Sequence, residues 1–216
     1  MQEKYAAAVS YYEAIVKRNQ DNLLNLTAIV VANLCVSLIM INRNPVAEDI
    51  ISKLEREEEE RERLIEKYRE YQPRYDTGDP EYEAYQLIKD PDHPSYHSCI
   101  VNLVIGTLYC SKGQYEFGIG RIIKSMEPIN KKLGTDTWYY AKRCFSALIE
   151  TLAKHMIILK DNTYTEILNF LDAAEEYGKT IYTNLQPILN NEDKEKMNVA
   201  YEARQLKRMF LKLIDY

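Results

Sequence analysis

The side chains best equipped for chemistry cluster in one short stretch. Asp90, Asp92 and His93 lie close together, and two carboxylates with an imidazole are donor types that a divalent cation accepts. Pro91 and Pro94 are interleaved with them, so the plainer reading is a polar turn fixed by proline. His155 could act as a base by its type, yet it falls within a helical pattern, where a packed or surface histidine is expected. Glu57 to Glu60 form a continuous run of carboxylates. Such a run reads as a solvated face and not as an acid–base pair. There is no G-x-x-x-x-G-K-[ST] and no G-x-S-x-G. Gly118 and Gly120 sit in a helical pattern with no strand before them, which suits close packing and not a phosphate loop. Cys35, Cys99, Cys110 and Cys144 form no C-x-x-C pair, and the three histidines add no ligand spacing. They read as buried thiols in a reducing compartment. No catalytic residue, cofactor or metal is expected.

The elements that hold these residues must be helices. The chain has 216 residues, 46% of them hydrophobic, with only 7 Gly and 7 Pro. That supports a real core with few strand-and-turn signals. The formal net charge of −5 shows no cationic excess, so nucleic acid is not an expected partner. Met1 to Tyr12 lacks the form of a signal peptide. The longest apolar run, Ala28 to Ile41, is broken by Asn33 and Ser37 and is too short to span a bilayer. An intracellular, soluble chain with no membrane insertion is the expectation.

A repeat is written in the spacing. The tetratricopeptide pattern is W-x2-L-G-x2-Y in one helix and A-x3-F in the next. Val31, Leu34, Cys35 and Leu38 fill the first-helix slots, and Ala47, Ile51 and Leu54 the second. Asn102, Ile105, Gly106 and Tyr109, then Gly118, Ile122 and Ser125, repeat both halves. The step from Leu38 to Ala47 equals that from Tyr109 to Gly118. The small residues Ala47 and Gly118 mark where paired helices cross closely, and Gly113 closes the first helix of its pair. Ala8, Tyr12 and Ile15 match a second helix with no first helix before it, so the sequence is expected to start within a repeat. Trp138, Ala141 and Phe145 open a degenerate pair in a helix over about 137–159, followed by Ile167, Leu171 and Ala174.

The expected fold is therefore all-α, a tetratricopeptide-type helical-repeat solenoid with a C-terminal capping helix. Residues 1–54 form one and a half repeats. Residues 55–96 form a charged helix extension, then a Pro-containing loop over Gln72–Pro94 with a short helical turn at Tyr82–Ile88. Residues 97–190 form two further pairs, the last degenerate. Residues 191–216 form the capping helix, with Val199, Leu206, Met209, Phe210 and Leu213 inward.

Such scaffolds act through first-helix faces. Candidate protein-binding residues there are Asn33, Ser37, Asn102, Tyr139, Lys142 and Arg143. Tyrosine suits protein interfaces and proline-rich peptides, and Trp138 with Tyr139 and Tyr140 is a conspicuous cluster. A carboxylate clamp for chaperone tails is incomplete, because Ile100 and Val104 stand where Lys and Arg would be needed.

The stretches Ile100–Pro128 (IVNLVIGTLYCSKGQYEFGIGRIIKSMEP), Lys131–Cys144 (KKLGTDTWYYAKRC), Ala28–Ser37 (AIVVANLCVS) and Tyr201–Lys207 (YEARQLK) resemble the tetratricopeptide repeat protein 30, or Fleer, family. That family supplies a subunit of the intraflagellar transport B complex, and the resemblance is to its C-terminal part. It implies a scaffold in cilia and flagella that wraps an extended proline-rich segment of another core B subunit. It also implies service to anterograde transport, with the anterograde kinesin motor or axonemal tubulin as a further partner and a link to tubulin polyglutamylation. It carries no catalytic residues. The alternative is a short ciliary paralogue acting as a static, microtubule-associated part of the axoneme.

Overall fold

The computed structural model describes residues 2–69, 95–130, 133–179 and 191–214. The Gln72–Pro94 loop, the helical turn at Tyr82–Ile88 and the Asp90, Asp92, His93 group lie outside the described residues. Among the described residues there is no strand. The chain is an all-α helical repeat of tetratricopeptide type. Two compact units divide it, residues 1–105 and 106–216.

In the first unit, α1 (Gln2–Arg18) is followed by a 3-10 turn (Leu23–Asn25), α2 (Ala28–Met40) and α3 (Asn44–Arg69). The sequence of α2, AIVVANLCVSLIM, carries no charged side chain. A helix apolar nearly all round must be covered on more than one side, and α2 packs against both α1 and α3. Val31, Leu34, Cys35 and Leu38 are all buried, as are Ala47, Ile51 and Leu54 on α3. The crossing is close at the small residue, where Cys35 Sγ lies 4.0 Å from the Ala47 carbonyl oxygen. Pro45 sits in the first turn of α3, where its missing N–H costs nothing.

Helix α4 (His97–Ser111) begins in the first unit and carries into the second. The second unit continues with α5 (Tyr115–Lys124), the short α6 (Glu127–Asn130), α7 (Thr135–His155), α8 (Asp161–Lys179) and α9 (Asn191–Ile214). Gly106 and Gly118 meet face to face. A Cβ on either would stand 2.7 Å from the other's carbonyl oxygen. Helix α9 packs on both α7 and α8. Gly178 allows the second contact, since a Cβ there would meet Ala200 Cβ at 2.5 Å. The core of this unit includes Trp138, Phe145, Leu148, Leu171 and Phe210, with the Phe145 and Phe170 rings stacked at 5.3 Å. On α9 two expected inward positions differ, and one of them, Leu213, is only half-buried. Met209 is exposed, and the inner face is made by Val199, Ala200, Ala203, Leu206 and Phe210. Small alanines let α9 approach α8 closely, and Met209 falls on the turn's outer side.

Four helices end in the same way. The amide of Asp21 bonds the Val16 carbonyl, Arg43 that of Leu38, Gln114 that of Tyr109 and Ile157 that of Leu152. This six-to-one closure needs a left-handed residue just before the donor. Gln20, Asn42, Gly113 and Met156 fill that place with positive φ. The repeat equality therefore extends to the caps. Asn42 follows Leu38 by the same step as Gly113 follows Tyr109.

Candidate protein-binding surface

Helix α7 holds the conspicuous aromatic cluster. Gly134 precedes it in an extended conformation, and the Thr137 hydroxyl accepts the Gly134 N–H at 2.7 Å. From that start, helical spacing sends Trp138, Ala141, Phe145 and Leu148 inward, while Tyr139, Lys142 and Arg143 are exposed. Trp138 is buried, and its Nε1–H donates to Glu202 on α9 at 2.8 Å. Lys142 donates to the other oxygen of the same carboxylate at 2.5 Å.

Tyr139, 57% exposed, is held in place without being covered. Tyr140 meets it edge-on at 5.4 Å between ring centroids. One turn on, the Arg143 guanidinium lies 5.6 Å from its ring centroid and donates to its hydroxyl at 2.9 Å. Such a cluster presents an ordered aromatic face beside a planar cation, a pairing suited to peptide contact. Burial pushes the Glu202 carboxyl up. The hydrogen bonds from Lys142 and Trp138, with the Lys142 charge, outweigh it and hold Glu202 below its ordinary value.

The structure thus groups Tyr139, Lys142 and Arg143 on one helix face. Asn33 is exposed on α2. Ser37 and Asn102 are buried at 4% and 1% exposure. Ser37 donates to the Asn33 carbonyl, and Asn102 donates to Glu55 at 3.2 Å. The Ser37 bond lies within α2, whereas the Asn102 bond ties α4 to α3. All four cysteines are buried, and none forms a disulfide. Burial pushes the Cys110 thiol up, with a hydrogen bond to Thr151 working against it. His155 packs its ring on Tyr115 at 4.2 Å, in keeping with a packed histidine. No group of metal-binding side chains is assembled among the described residues. No described helix is long and apolar enough to cross a membrane.

Sequence reasoning missed a polar seam in the first unit. The acidic run on α3 is not uniformly solvated. Glu58 is buried and takes the Ser95 hydroxyl at 2.6 Å and the Ser98 backbone N–H at 3.1 Å. Glu57 takes the Leu23 N–H at 2.8 Å, and Glu55 takes Asn102. Positions 55 and 58 follow Leu54 and Ile51 on the inward side of α3. That helical phase was the available signal. Glu59 and Glu60 on the other side are exposed, as expected.

By fold and surface, this is a helical-repeat protein of tetratricopeptide type. Its sequence matches the family described as "Intraflagellar transport protein 70 C-terminal domain" over residues 1–71 and 80–216. The chain belongs to the intraflagellar transport protein 70 family, the family that its motifs resemble. It is 49% identical to intraflagellar transport protein 70A of Bos taurus and 48% identical to intraflagellar transport protein 70B of Homo sapiens, in both cases over 100% of this chain. It is 47% identical to intraflagellar transport protein 70A of Danio rerio over 99% of the chain. The chain spans 29% of the length of each of these curated relatives.

Proposed function

We propose that the chain is a non-catalytic scaffold of the intraflagellar transport B complex in cilia and flagella, binding an extended segment of another core subunit along its first-helix faces. The observation that carries this reading is the exposed Tyr139 ring, ordered by Tyr140 and Arg143 on a rigid helix. Family membership supplies the transport context. The family resemblance implies a proline-rich partner segment, and an exposed tyrosine face suits proline rings.

Arg143 is the residue to test. Lys142 is less suitable alone, because reversing its charge would set two carboxylates against each other at Glu202. R143E and Y139A are expected to lower co-purification with complex B subunits at least about tenfold, a loss of about 1.4 kcal/mol. Their melting temperatures are expected to match wild type. Unchanged co-purification of both variants would remove this face from the reading. Fractionation of cilia separates transport from a static role: a transport subunit leaves with the detergent-soluble matrix, whereas an axonemal component stays with microtubules.

A further inference from the structure

The turn between α7 and α8 carries the two barest large apolar side chains among the described residues. Met156 is 90% exposed and Ile158 88%. A single exposed apolar residue is ordinary. These two stand out because the backbone that projects them is fastened on both sides. The Ile157 N–H closes α7 on the Leu152 carbonyl at 3.2 Å. The Leu159 N–H donates to the Tyr164 hydroxyl at 3.0 Å, and the Tyr164 ring lies 5.4 Å from that of Phe210 on α9. Ile157 and Leu159 are half-buried, so the turn draws its alternate residues in and holds Met156 and Ile158 out. Met156 does so with φ 53°, a left-handed conformation that a side chain makes costly. Glycine would close α7 without that strain, and a polar residue at 158 would avoid the exposure. Neither apolar side chain is needed to pack the unit.

Two features say what covers the pair. The first is charge. Lys154 and Lys160 are exposed and bracket the turn, and no carboxylate stands between them. Glu150 and Asp161 lie just outside this pair in the sequence. The second is area. A stable protein–protein contact buries about 800 Å² on each partner. Two side chains on a projecting turn supply a small part of that, and they offer no hollow for a partner to fill. A bilayer surface requires neither. Apolar side chains enter the boundary between headgroups and acyl chains, while lysines beside them reach the lipid phosphates.

We propose that the turn from Met156 to Ile158 is a membrane-contact site, seating its two apolar side chains in the headgroup boundary of an anionic bilayer with Lys154 and Lys160 against lipid phosphates. The contact is peripheral, and nothing in it crosses the bilayer. It is weak and reversible for a single chain, because two side chains bury less hydrocarbon than one myristoyl chain, which by itself binds only marginally.

The test is flotation of the full chain with vesicles of equal parts phosphatidylserine and phosphatidylcholine, titrated in lipid. Wild type is expected to partition onto them, and to bind pure phosphatidylcholine vesicles more weakly. M156G combined with I158S is expected to lose at least about tenfold in partition. Both changes fall on exposed positions, and a melting temperature no lower than wild type confirms that this variant folds. K154Q with K160Q is expected to lose about fivefold, less than two isolated lysines would, because Glu150 and Asp161 offset part of their attraction. In I158W, brominated acyl chains are expected to quench the new tryptophan and to leave Trp138 unquenched. No flotation of wild type on the anionic vesicles, or equal flotation of wild type and the M156G, I158S variant, would overturn the proposal. Loss of complex B co-purification in that variant, with no flotation of wild type, would overturn it in favour of a protein partner at the same turn.

Discussion

Glu58 shows what one carboxylate can do when its helix phase turns it inward. It accepts from Ser98 at the open start of α4, the role an N-cap side chain plays from within the chain. It also accepts from Ser95. Glu58→Ala leaves a buried hydroxyl and a helix-end amide without their acceptor. A loss of about 2–3 kcal/mol is expected in urea unfolding, with the slope unchanged. Glu60→Ala, two residues on, removes only an exposed pair with Arg63, and no measurable shift of the urea midpoint is expected, because solvent screens an exposed pair. Equal effects from the two would mean that Glu58 is not seated as described. Residue types alone made the acidic run look uniform. Reading it in register with Ile51 and Leu54 separates its two sides, and only packing reveals which donors lie opposite.

The elements were the most legible part of the chain. Small residues at Ala47 and Gly118, large ones at set offsets and Gly113 at a helix end all follow from how two helices cross and stop. Those requirements act on residue size and backbone conformation, which a sequence states directly. The cap at Met156 was not legible, because methionine gives no sign of a left-handed backbone. It adopts φ 53° while 90% exposed, in the place that Gly113 fills after α4. Met156→Gly is expected to stabilise the second unit by about 0.5–1 kcal/mol, read as a higher unfolding midpoint. A lower midpoint would show that the Met156 side chain makes a contact worth more than the strain. The two glycines of α5 offer an internal contrast. A Cβ at Gly118 meets the Gly106 carbonyl oxygen at 2.7 Å, whereas at Gly120 nothing lies within 4 Å. Gly118→Ala is expected to cost about 2 kcal/mol or more, and Gly120→Ala to add about 0.5–1 kcal/mol. Thermal unfolding of the pair decides whether the first G in G-x-G is a packing requirement. The candidate surface was legible only in part. Tyr139, Lys142 and Arg143 are exposed as a first-helix face should be, while Ser37 and Asn102 share the same polar character and are buried, bonding within the fold.

Across the second unit as a whole, α9 is tied to both helices beneath it by charged hydrogen bonds. Glu202 takes Trp138 and Lys142 of α7. Arg204 donates to Glu175 at 2.9 Å, and Lys207 pairs with Asp172, both on α8. Hydrogen bonding from Lys179 leads the effects that hold Glu175 below its ordinary value. Burial opposes it, and Arg204 adds to it. Glu202 is likewise lowered. A carboxylate lowered on folding contributes stability above its unfolded value of 4.5 and loses it as the pH falls through the folded value. The docking of α9 is therefore expected to weaken in acid below about pH 4.5, and sooner in high salt, where the exposed partners are screened. Trp138 is the only tryptophan in the chain, and its indole N–H is bonded to Glu202. Its emission thus reports on this contact directly. In wild type the emission should shift to the red as the pH falls from about 5 to 3, before helix content is lost by circular dichroism. Glu202→Gln keeps an acceptor for the indole but cannot lose a charge, so this early shift should vanish while the later loss of helix remains. An early shift that persists in Glu202→Gln would locate the acid-sensitive contact elsewhere in the unit, with Glu175 and its partners as the next place to look.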